Sequence, residues 1–155
     1  MLCSHATIGV MLPPFVGRAE GAAKVCLFAF FGVKHRDGSH ASDHSFRVAR
    51  TIQERFPQDN DLIAVALLHD IIEDTQYTED NLRRLFGDRI ADAVVALSRG
   101  KEESWNDYIH RVLLSADAIH VKIADIEDNL NRMDSKMAGH EPMYSDTLAL
   151  LKNSL

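Results

Sequence analysis

Apolar residues recur at three- and four-residue intervals through most of the chain, which is the spacing of helices with one buried face. Phe46, Ala49, Ile52 and Phe56 show this spacing clearly. No stretch alternates with the two-residue period of a strand, and no hairpin dipeptide such as Asn-Gly occurs in the loops. The pattern predicts an all-α fold with helices over 19–34, 44–56, 61–74, 79–86, 88–99, 104–115, 118–133 and 142–151.

Local signals support several helix boundaries. Gly38 is the predicted turn residue of a polar loop over 35–43, and Pro57 ends the second helix. Thr78 is a suitable N-cap for the fourth helix, and Gly87 a suitable stop. The third helix is apolar on nearly every face over 62–68, so we expect it at the centre of the fold.

Composition narrows the class of protein. A chain of 155 residues with 46% hydrophobic residues fits one domain with its own core. Two cysteines are too few for a disulfide framework, which indicates a reduced, cytoplasmic protein. The net charge of -6 argues against a nucleic-acid partner. The most apolar stretch, 21–33, is too short to span a membrane. The oligomeric state is left open.

The third helix carries charged residues where its pattern is most apolar. His69 and Asp70 interrupt the apolar run, which resumes for two residues before Glu73 and Asp74. A buried, ionised carboxylate without a compensating charge costs several kcal/mol, so Asp70 needs a partner, and a bound cation is the simplest candidate. In a continuous helix, His69 would lie one turn from Glu73, and Asp70 one turn from Asp74.

A second buried acid is expected at Asp125, which lies among apolar residues with Asn129 one turn further on. Two buried acids in separate helices suggest a shared centre. With His44 at the start of the second helix and His69, the set offers imidazole nitrogens and carboxylate oxygens. Such a set suits Mn²⁺, Fe²⁺ or Zn²⁺, and the absence of thiolates argues against a closed structural zinc site.

Each of these residues also has an ordinary structural explanation. The explanations are a surface or helix-start position for His44, a satisfied core pair for His69 and Asp70, an ion pair with Lys122 or Arg132 for Asp125, and solvation of a helix end for Glu73 and Asp74. A metal site is favoured because all of these residues occur in one chain of this size.

Several motifs resemble the HD superfamily of metal-dependent phosphohydrolases. Residues 66–75 read Ala-Leu-Leu-His-Asp-Ile-Ile-Glu-Asp-Thr, and 121–125 read Val-Lys-Ile-Ala-Asp. Together with Asp37-Gly-Ser-His-Ala-Ser-Asp-His44, they are similar to the hydrolase domain of RelA/SpoT-type proteins and to small alarmone hydrolases. The resemblance covers about 30–130. It implies a single-domain HD-type helical bundle over 19–155, with a segment of unknown role over 1–18.

The resemblance also implies roles for particular residues. The metal ligands would be His44, His69, Asp70 and Asp125, with Mn²⁺ the usual ion and another divalent transition metal possible. Glu73 and Asp74 would position and activate water. The nucleotide would face Lys34, Arg36, Lys122 and Asn129. The implied reaction removes the 3′-pyrophosphate of guanosine tetraphosphate (ppGpp), the signal of the stringent response.

The sequence departs from the family pattern around the expected nucleotide pocket. The family usually has Pro-Tyr where this chain has His40-Ala41, and a proline where it has Ser45. Residues 30–36 keep only a glycine and a basic end. Two other functions therefore remain open. One is an HD-type nucleotidase or phosphodiesterase for another phosphate ester, and the other is a nucleotide-binding module without turnover.

Overall fold

The computed structural model describes residues 14–34, 38–133 and 138–155. Within these ranges the only β structure is an isolated bridge between Lys34 and His40, so the predicted all-α fold is confirmed. The helices are α1 Gly17–Ala29, α2 Ala41–Arg55, α3 Asn60–Leu68, α4 Ile71–Asp74, α5 Glu79–Phe86, α6 Asp88–Leu97, α7 Trp105–Val112, α8 Ala116–Asn131 and α9 Glu141–Lys152, with a 3₁₀ turn over Ala138–His140.

Helix α3 is the centre of the molecule, as its apolar pattern predicts. Every residue over 62–68 is buried, and α3 contacts α1, α2, α6 and α8. A helix that is apolar on all sides must be covered on all sides, and here four neighbours cover it. Phe15 also lies in this core, where its ring packs against that of Phe46 at 5.9 Å. Packing therefore begins before the predicted domain boundary at residue 19.

The prediction of one continuous helix over 61–74 is wrong. Helix α3 ends at Leu68, His69 and Asp70 form a turn, and α4 begins at Ile71. The His69 ring lies with Nδ1 2.7 Å from the carbonyl oxygen of Ala66. In a continuous helix that carbonyl would accept from the N–H of Asp70. The side chain thus competes with the backbone, and the helix is interrupted at the two polar residues.

The other boundaries follow local capping. Thr78 accepts from the N–H of Asn81, and Gly87 ends α5 with φ 86°, a conformation that favours glycine. Helix α1 stops five residues before its predicted end, ahead of Gly32 at φ 74°. Helix α2 begins three residues early because His40 and Asp43 form a reciprocal capping box.

None of the helices in the described ranges combines the length and apolar character required to cross a membrane. The greater part of the predicted N-terminal segment, residues 1–13, lies outside the described residues, and so does Arg36.

Candidate metal centre

Side chains from three parts of the fold converge beside the end of α3. His44 comes from the first half of α2, His69 and Asp70 from the turn between α3 and α4, and Asp125 from α8. One ligand atom each from His44, His69 and Asp125 lie within 4.8 Å of one another. Oδ2 of Asp70 lies 4.0 Å from Nε2 of His44 and 3.2 Å from Nε2 of His69. The four predicted metal ligands are therefore neighbours.

The interruption between α3 and α4 explains how two consecutive residues reach one site. Neighbouring side chains in a continuous helix point about 100° apart and do not face the same group. Because the helix breaks at Leu68, His69 and Asp70 both approach His44. The predicted one-turn stacking of His69 on Glu73 depends on a continuous helix, which the structure does not have.

His69 has an available buried nitrogen. The residue is 2% exposed, and its Nδ1–H donates to the carbonyl of Ala66, so the lone pair of the neutral ring is on Nε2. Burial alone would lower the pKa of His69, but the nearby Asp70 and Asp125 carboxylates raise it. Among the described residues, that Nε2 has no hydrogen-bond partner. The nearest carboxylate oxygens belong to Asp70 at 3.2 Å and Asp125 at 3.9 Å. A buried polar atom without a partner carries a free-energy cost unless a ligand satisfies it.

Asp125 is 4% exposed and has three polar neighbours. Its Oδ2 accepts from Nζ of Lys122 at 2.7 Å, and its Oδ1 accepts from Nδ2 of Asn129 at 2.8 Å. Oδ1 also lies 2.9 Å from Nε2 of His44. Burial alone would raise the pKa of this carboxyl, but the Lys122 charge and the nearby imidazoles lower it instead. Asp125 is therefore a carboxylate at neutral pH.

His44 lies between two carboxylates of α8. Its Nε2 is at 2.9 Å from Asp125, and its Nδ1 is at 2.7 Å from Oδ2 of Asp128. Burial alone would lower the pKa of the imidazole, but these hydrogen bonds raise it to about 10. In the metal-free protein, protons on His44 balance the acidic cluster. A divalent ion bound by the same atoms would replace that positive charge.

Asp128 and Arg47 were missed by the sequence analysis. The guanidinium of Arg47 donates to both oxygens of Asp128, from Nε at 2.8 Å and from Nη2 at 2.9 Å. Burial would raise the pKa of Asp128, but hydrogen bonds from His44 and Arg47 lower it to about 2. The available signal was spacing, since each residue lies three positions after a predicted ligand and therefore near it on the helix surface.

The two predicted catalytic acids lie on α4, and each leaves part of its surface open to solvent. Oε1 of Glu73 accepts from the backbone N–H of Arg99 at 2.5 Å, which ties the carboxylate to the loop after α6. Partial burial raises the pKa of Glu73, and the hydrogen bond from Arg99 opposes this effect. The negative charge of Asp70 raises the pKa further. Asp74 adds a smaller repulsion.

The predicted nucleotide contacts are distributed unevenly. Asn129 and Lys122 both lie beside the predicted metal ligand Asp125. The ammonium of Lys122 is paired with Asp125, and the Lys122 side chain is only 12% exposed. Lys122 thus neutralises a predicted ligand instead of presenting an exposed charge. Lys34 is exposed before α2, and its ammonium makes no ion pair with the residues that the structure describes. Arg36 lies outside those residues.

The donor set fits a divalent transition metal. Two imidazole nitrogens and two carboxylates converge without a thiolate among the described residues, and the orphaned Nε2 of His69 is a buried donor atom that suits such an ion. A family model described as HD domain matches residues 22–138, well over half of the chain. The chain therefore belongs to the HD-domain family.

Curated relatives are similar over more than half of the chain. A probable guanosine-3′,5′-bis(diphosphate) 3′-pyrophosphohydrolase of Mycoplasma pneumoniae is 32% identical, in a match that covers 59% of this chain and 15% of that protein. The bifunctional (p)ppGpp synthase/hydrolase SpoT of Escherichia coli is 28% identical, in a match that covers 77% of this chain and 18% of that protein. The chain thus spans less than a fifth of the length of these relatives.

A solved structure shares the fold. It is a metazoan orthologue of SpoT that hydrolyses ppGpp, and it superimposes with a TM-score of 0.74 at 18% sequence identity. The match covers 90% of this chain and 88% of the other. At this identity the likeness establishes the HD-type helical architecture, which the sequence analysis predicted.

Proposed function

We propose that this protein is a metal-dependent phosphohydrolase of phosphorylated nucleotides, with guanosine-3′,5′-bis(diphosphate) as the substrate and pyrophosphate, released from its 3′ position, as a product. The observation that carries the proposal is the convergence of His44, His69, Asp70 and Asp125 around the orphaned Nε2 of His69. The named activities of the Mycoplasma and Escherichia relatives support the choice of substrate.

The proposed ligands are the four converging side chains, and the proposed ion is Mn²⁺. When bound, a divalent ion lowers the pKa of a coordinated water and offsets the charge of phosphate oxygens. His44 and His69 offer Nε2, because Nδ1 of each ring already faces an acceptor, Asp128 or the Ala66 carbonyl. Asp70 and Asp125 offer carboxylate oxygens.

Glu73 and Asp74 are the proposed proton-handling residues. The hydrogen bond from the N–H of Arg99 fixes one oxygen of Glu73. The raised pKa of Glu73 brings this carboxyl closer to the operating pH, which suits a group that accepts and returns a proton. In the reaction, a water oxygen bonds to phosphorus, the bond from phosphorus to the 3′ oxygen breaks, and that oxygen gains a proton.

The proposed binding groups are Asn129, Lys122, Lys34 and Arg36. Asn129 lies against Asp125 and is partly exposed, so it can meet a nucleotide next to the metal ligands. Lys122 would act mainly by neutralising Asp125. The proposed location is the cytoplasm, because the chain has only two cysteines. The proposed role is in the stringent response, because the names of the relatives give ppGpp as their substrate.

The test is a substrate and metal panel on the purified protein. After treatment with a chelator, Mn²⁺, Mg²⁺ or Zn²⁺ is restored, and release of pyrophosphate from ppGpp is compared with hydrolysis of GTP, GDP and simple phosphate esters. We expect Mn²⁺-dependent release of pyrophosphate from ppGpp. Turnover of a different ester alone would make the substrate assignment wrong, and binding of ppGpp without turnover would identify a non-catalytic module.

The site assignment has its own variant. Asp70→Asn is expected to lose Mn²⁺ and hydrolysis together, because a proposed ligand loses its charge. Asp92→Asn is the matched control, since Asp92 is an exposed carboxylate that pairs with Arg83 on another surface. Normal metal content and turnover in Asp70→Asn would refute the assignment.

A further inference from the structure

Two helices each carry a proposed ligand and a second charged residue one turn later. Helix α2 carries His44 and Arg47, and α8 carries Asp125 and Asp128. Residues three apart lie near each other on a helix surface, so the two pairs can meet along the contact between α2 and α8. His44 lies between Asp125 and Asp128, and Arg47 contacts Asp128.

This arrangement gives the two ring nitrogens of His44 different partners. Nε2 faces Asp125 and the rest of the proposed metal centre, and Nδ1 is 2.7 Å from Oδ2 of Asp128. A neutral imidazole carries one ring proton, and a carboxylate next to Nδ1 retains the proton on that nitrogen. Asp125 lies beside Nε2, but a divalent ion bound at Nε2 would displace the proton there, so the lone pair of the metal-bound ring would be on Nε2.

We propose that Asp128 is a positioning residue that fixes the tautomer and the ring orientation of His44 for metal binding, and that Arg47 fixes the carboxylate of Asp128. This inference rests on the proposed function, because it concerns a ligand of the proposed metal. Asp128 touches neither substrate nor ion in this role. It acts through His44, and Arg47 acts through Asp128.

The contacts of Asp128 indicate why it is not itself a ligand. Its Oδ1 accepts from Nε of Arg47 at 2.8 Å, and its Oδ2 accepts from Nη2 at 2.9 Å as well as facing Nδ1 of His44. Both oxygens are therefore engaged on the Nδ1 side of the ring, away from Nε2. A two-pronged contact with a guanidinium also restricts rotation of the carboxylate.

The two histidines differ in this respect. Nδ1 of His69 donates to a neutral backbone carbonyl, that of Ala66, at 2.7 Å. Nδ1 of His44 faces a charged carboxylate. A carboxylate partner makes an imidazole a stronger electron donor to a metal, and loss of such a partner typically lowers metal affinity by about 10–100-fold. His44 is therefore the histidine whose binding strength depends on another side chain.

The experiment measures Mn²⁺ affinity by calorimetric titration of the chelator-treated protein. Asp128→Ala is expected to weaken binding by about 10–100-fold. Asp128→Asn is expected to lose less, because its amide oxygen still accepts from Nδ1–H. Arg47→Gln is expected to lose a few-fold, since Asp128 remains but is less restrained. If Asp128→Ala does not fold, the nearly isosteric Asp128→Asn and Arg47→Gln provide the same test.

Glu127→Gln is the matched control. Glu127 is the residue before Asp128 on α8, and it also joins α8 to α2, through Arg55, as well as to α9 through Lys152. Among the described residues, the ion-pair and hydrogen-bond partners of His44 are Asp70, Asp125 and Asp128, and Glu127 is not one of them. We expect its Mn²⁺ affinity to be unchanged. An equal loss in Glu127→Gln and Asp128→Ala would mean that any tie between the helices supports the site, and would overturn the role of Asp128.

A second readout follows the ring itself. In the protein loaded with diamagnetic Zn²⁺, imidazole ¹⁵N spectra are expected to show a protected proton on Nδ1 of His44, and Asp128→Ala is expected to lose that protection. Affinity within twofold of wild type and an unchanged ring proton in Asp128→Ala would overturn the inference alone. Failure of the wild type to bind any divalent ion would overturn the proposed function as well.

Discussion

Lys122 is nearly buried, and its ammonium donates to Oδ2 of Asp125 at 2.7 Å. Its Nζ also lies 5.4 Å from the ring centre of Trp105 and 5.1 Å from that of Tyr108. Lys122→Met retains a long apolar side chain against these rings and removes the charge together with the hydrogen bond to Asp125. In the metal-free protein, Asp125 then loses the cation closest to its Oδ2.

The expected cost follows from the surroundings of Asp125. Removing one partner of a buried ion pair typically costs about 3–5 kcal/mol. Asp125 keeps a hydrogen bond from Asn129 and its contact with His44, so we take the lower end, about 3 kcal/mol. For a chain of this size, about 1 kcal/mol corresponds to roughly 2–4 °C in Tm. The Tm of the metal-free variant should fall by roughly 6–12 °C.

Metal should reduce this loss. A divalent ion at the proposed centre supplies positive charge beside Asp125, so the absence of the ammonium matters less. The rise in Tm on adding Mn²⁺ is therefore expected to be larger in Lys122→Met than in wild type, because a ligand that binds the folded state more tightly stabilises it more.

The assay is thermal denaturation followed by circular dichroism, with a chelator and with saturating Mn²⁺. Lys152→Met is the control, since Lys152 forms an exposed ion pair with Glu127 that is worth at most about 1 kcal/mol. Its small loss should be the same in both conditions. An equal fall in Tm for Lys122→Met with and without Mn²⁺ would refute the reasoning, because it would mean that the ion does not compensate the negative charge of Asp125.

Three further outcomes are expected. Glu73→Gln should retain Mn²⁺ and lose turnover by about 10²–10⁴-fold, and loss of bound metal in parallel would make Glu73 a ligand instead. The pKa of Asp128 is about 2 in the folded protein and 3.8 in its ordinary state. The free energy of unfolding that Asp128 contributes is therefore fully present above pH 3.8 and is lost as the pH falls towards 2. Urea denaturation of chelator-treated protein should show this decline, and Asp128→Asn should make it shallower; an identical pH profile in the variant would contradict the assignment. Thr78→Ala should lower the free energy of unfolding by about 1 kcal/mol, because α5 loses its N-cap. Ser154→Ala, near the exposed C-terminus, is the control and should change this free energy little. Equal losses in the two variants would argue against the capping role of Thr78.

Features that depend on near neighbours in the chain were predictable. Thr78 and Gly87 bound α5 because a hydroxyl can satisfy a free N–H at a helix start and a glycine can adopt positive φ at its end. The central position of α3 followed from its apolar surface, which any fold must cover. The grouping of the acids with the histidines followed from the cost of burying charge without compensation, although only Asp125 is fully buried and the side chain of Asp70 is 34% exposed.

The helix break at His69 could not be predicted from periodicity. The residues on either side continue the apolar pattern, and only the hydrogen bond from the ring to the Ala66 carbonyl reveals the competition with the backbone. The position of Lys122 was also open. Its spacing from Asp125 allowed an ion pair as well as a contact with phosphate, and burial in the fold favours the ion pair.

By itself, the sequence determined which segments become helices, which helix is fully covered, and that His69 and Asp125 are carried into the interior. Tertiary structure decided which of those side chains meet. His44 and Asp128 are 84 positions apart, and nothing local relates them. Their contact depends on how α2 and α8 pack against α3, which is a property of the whole core, because long-range contacts form only when the buried surfaces of several helices fit together.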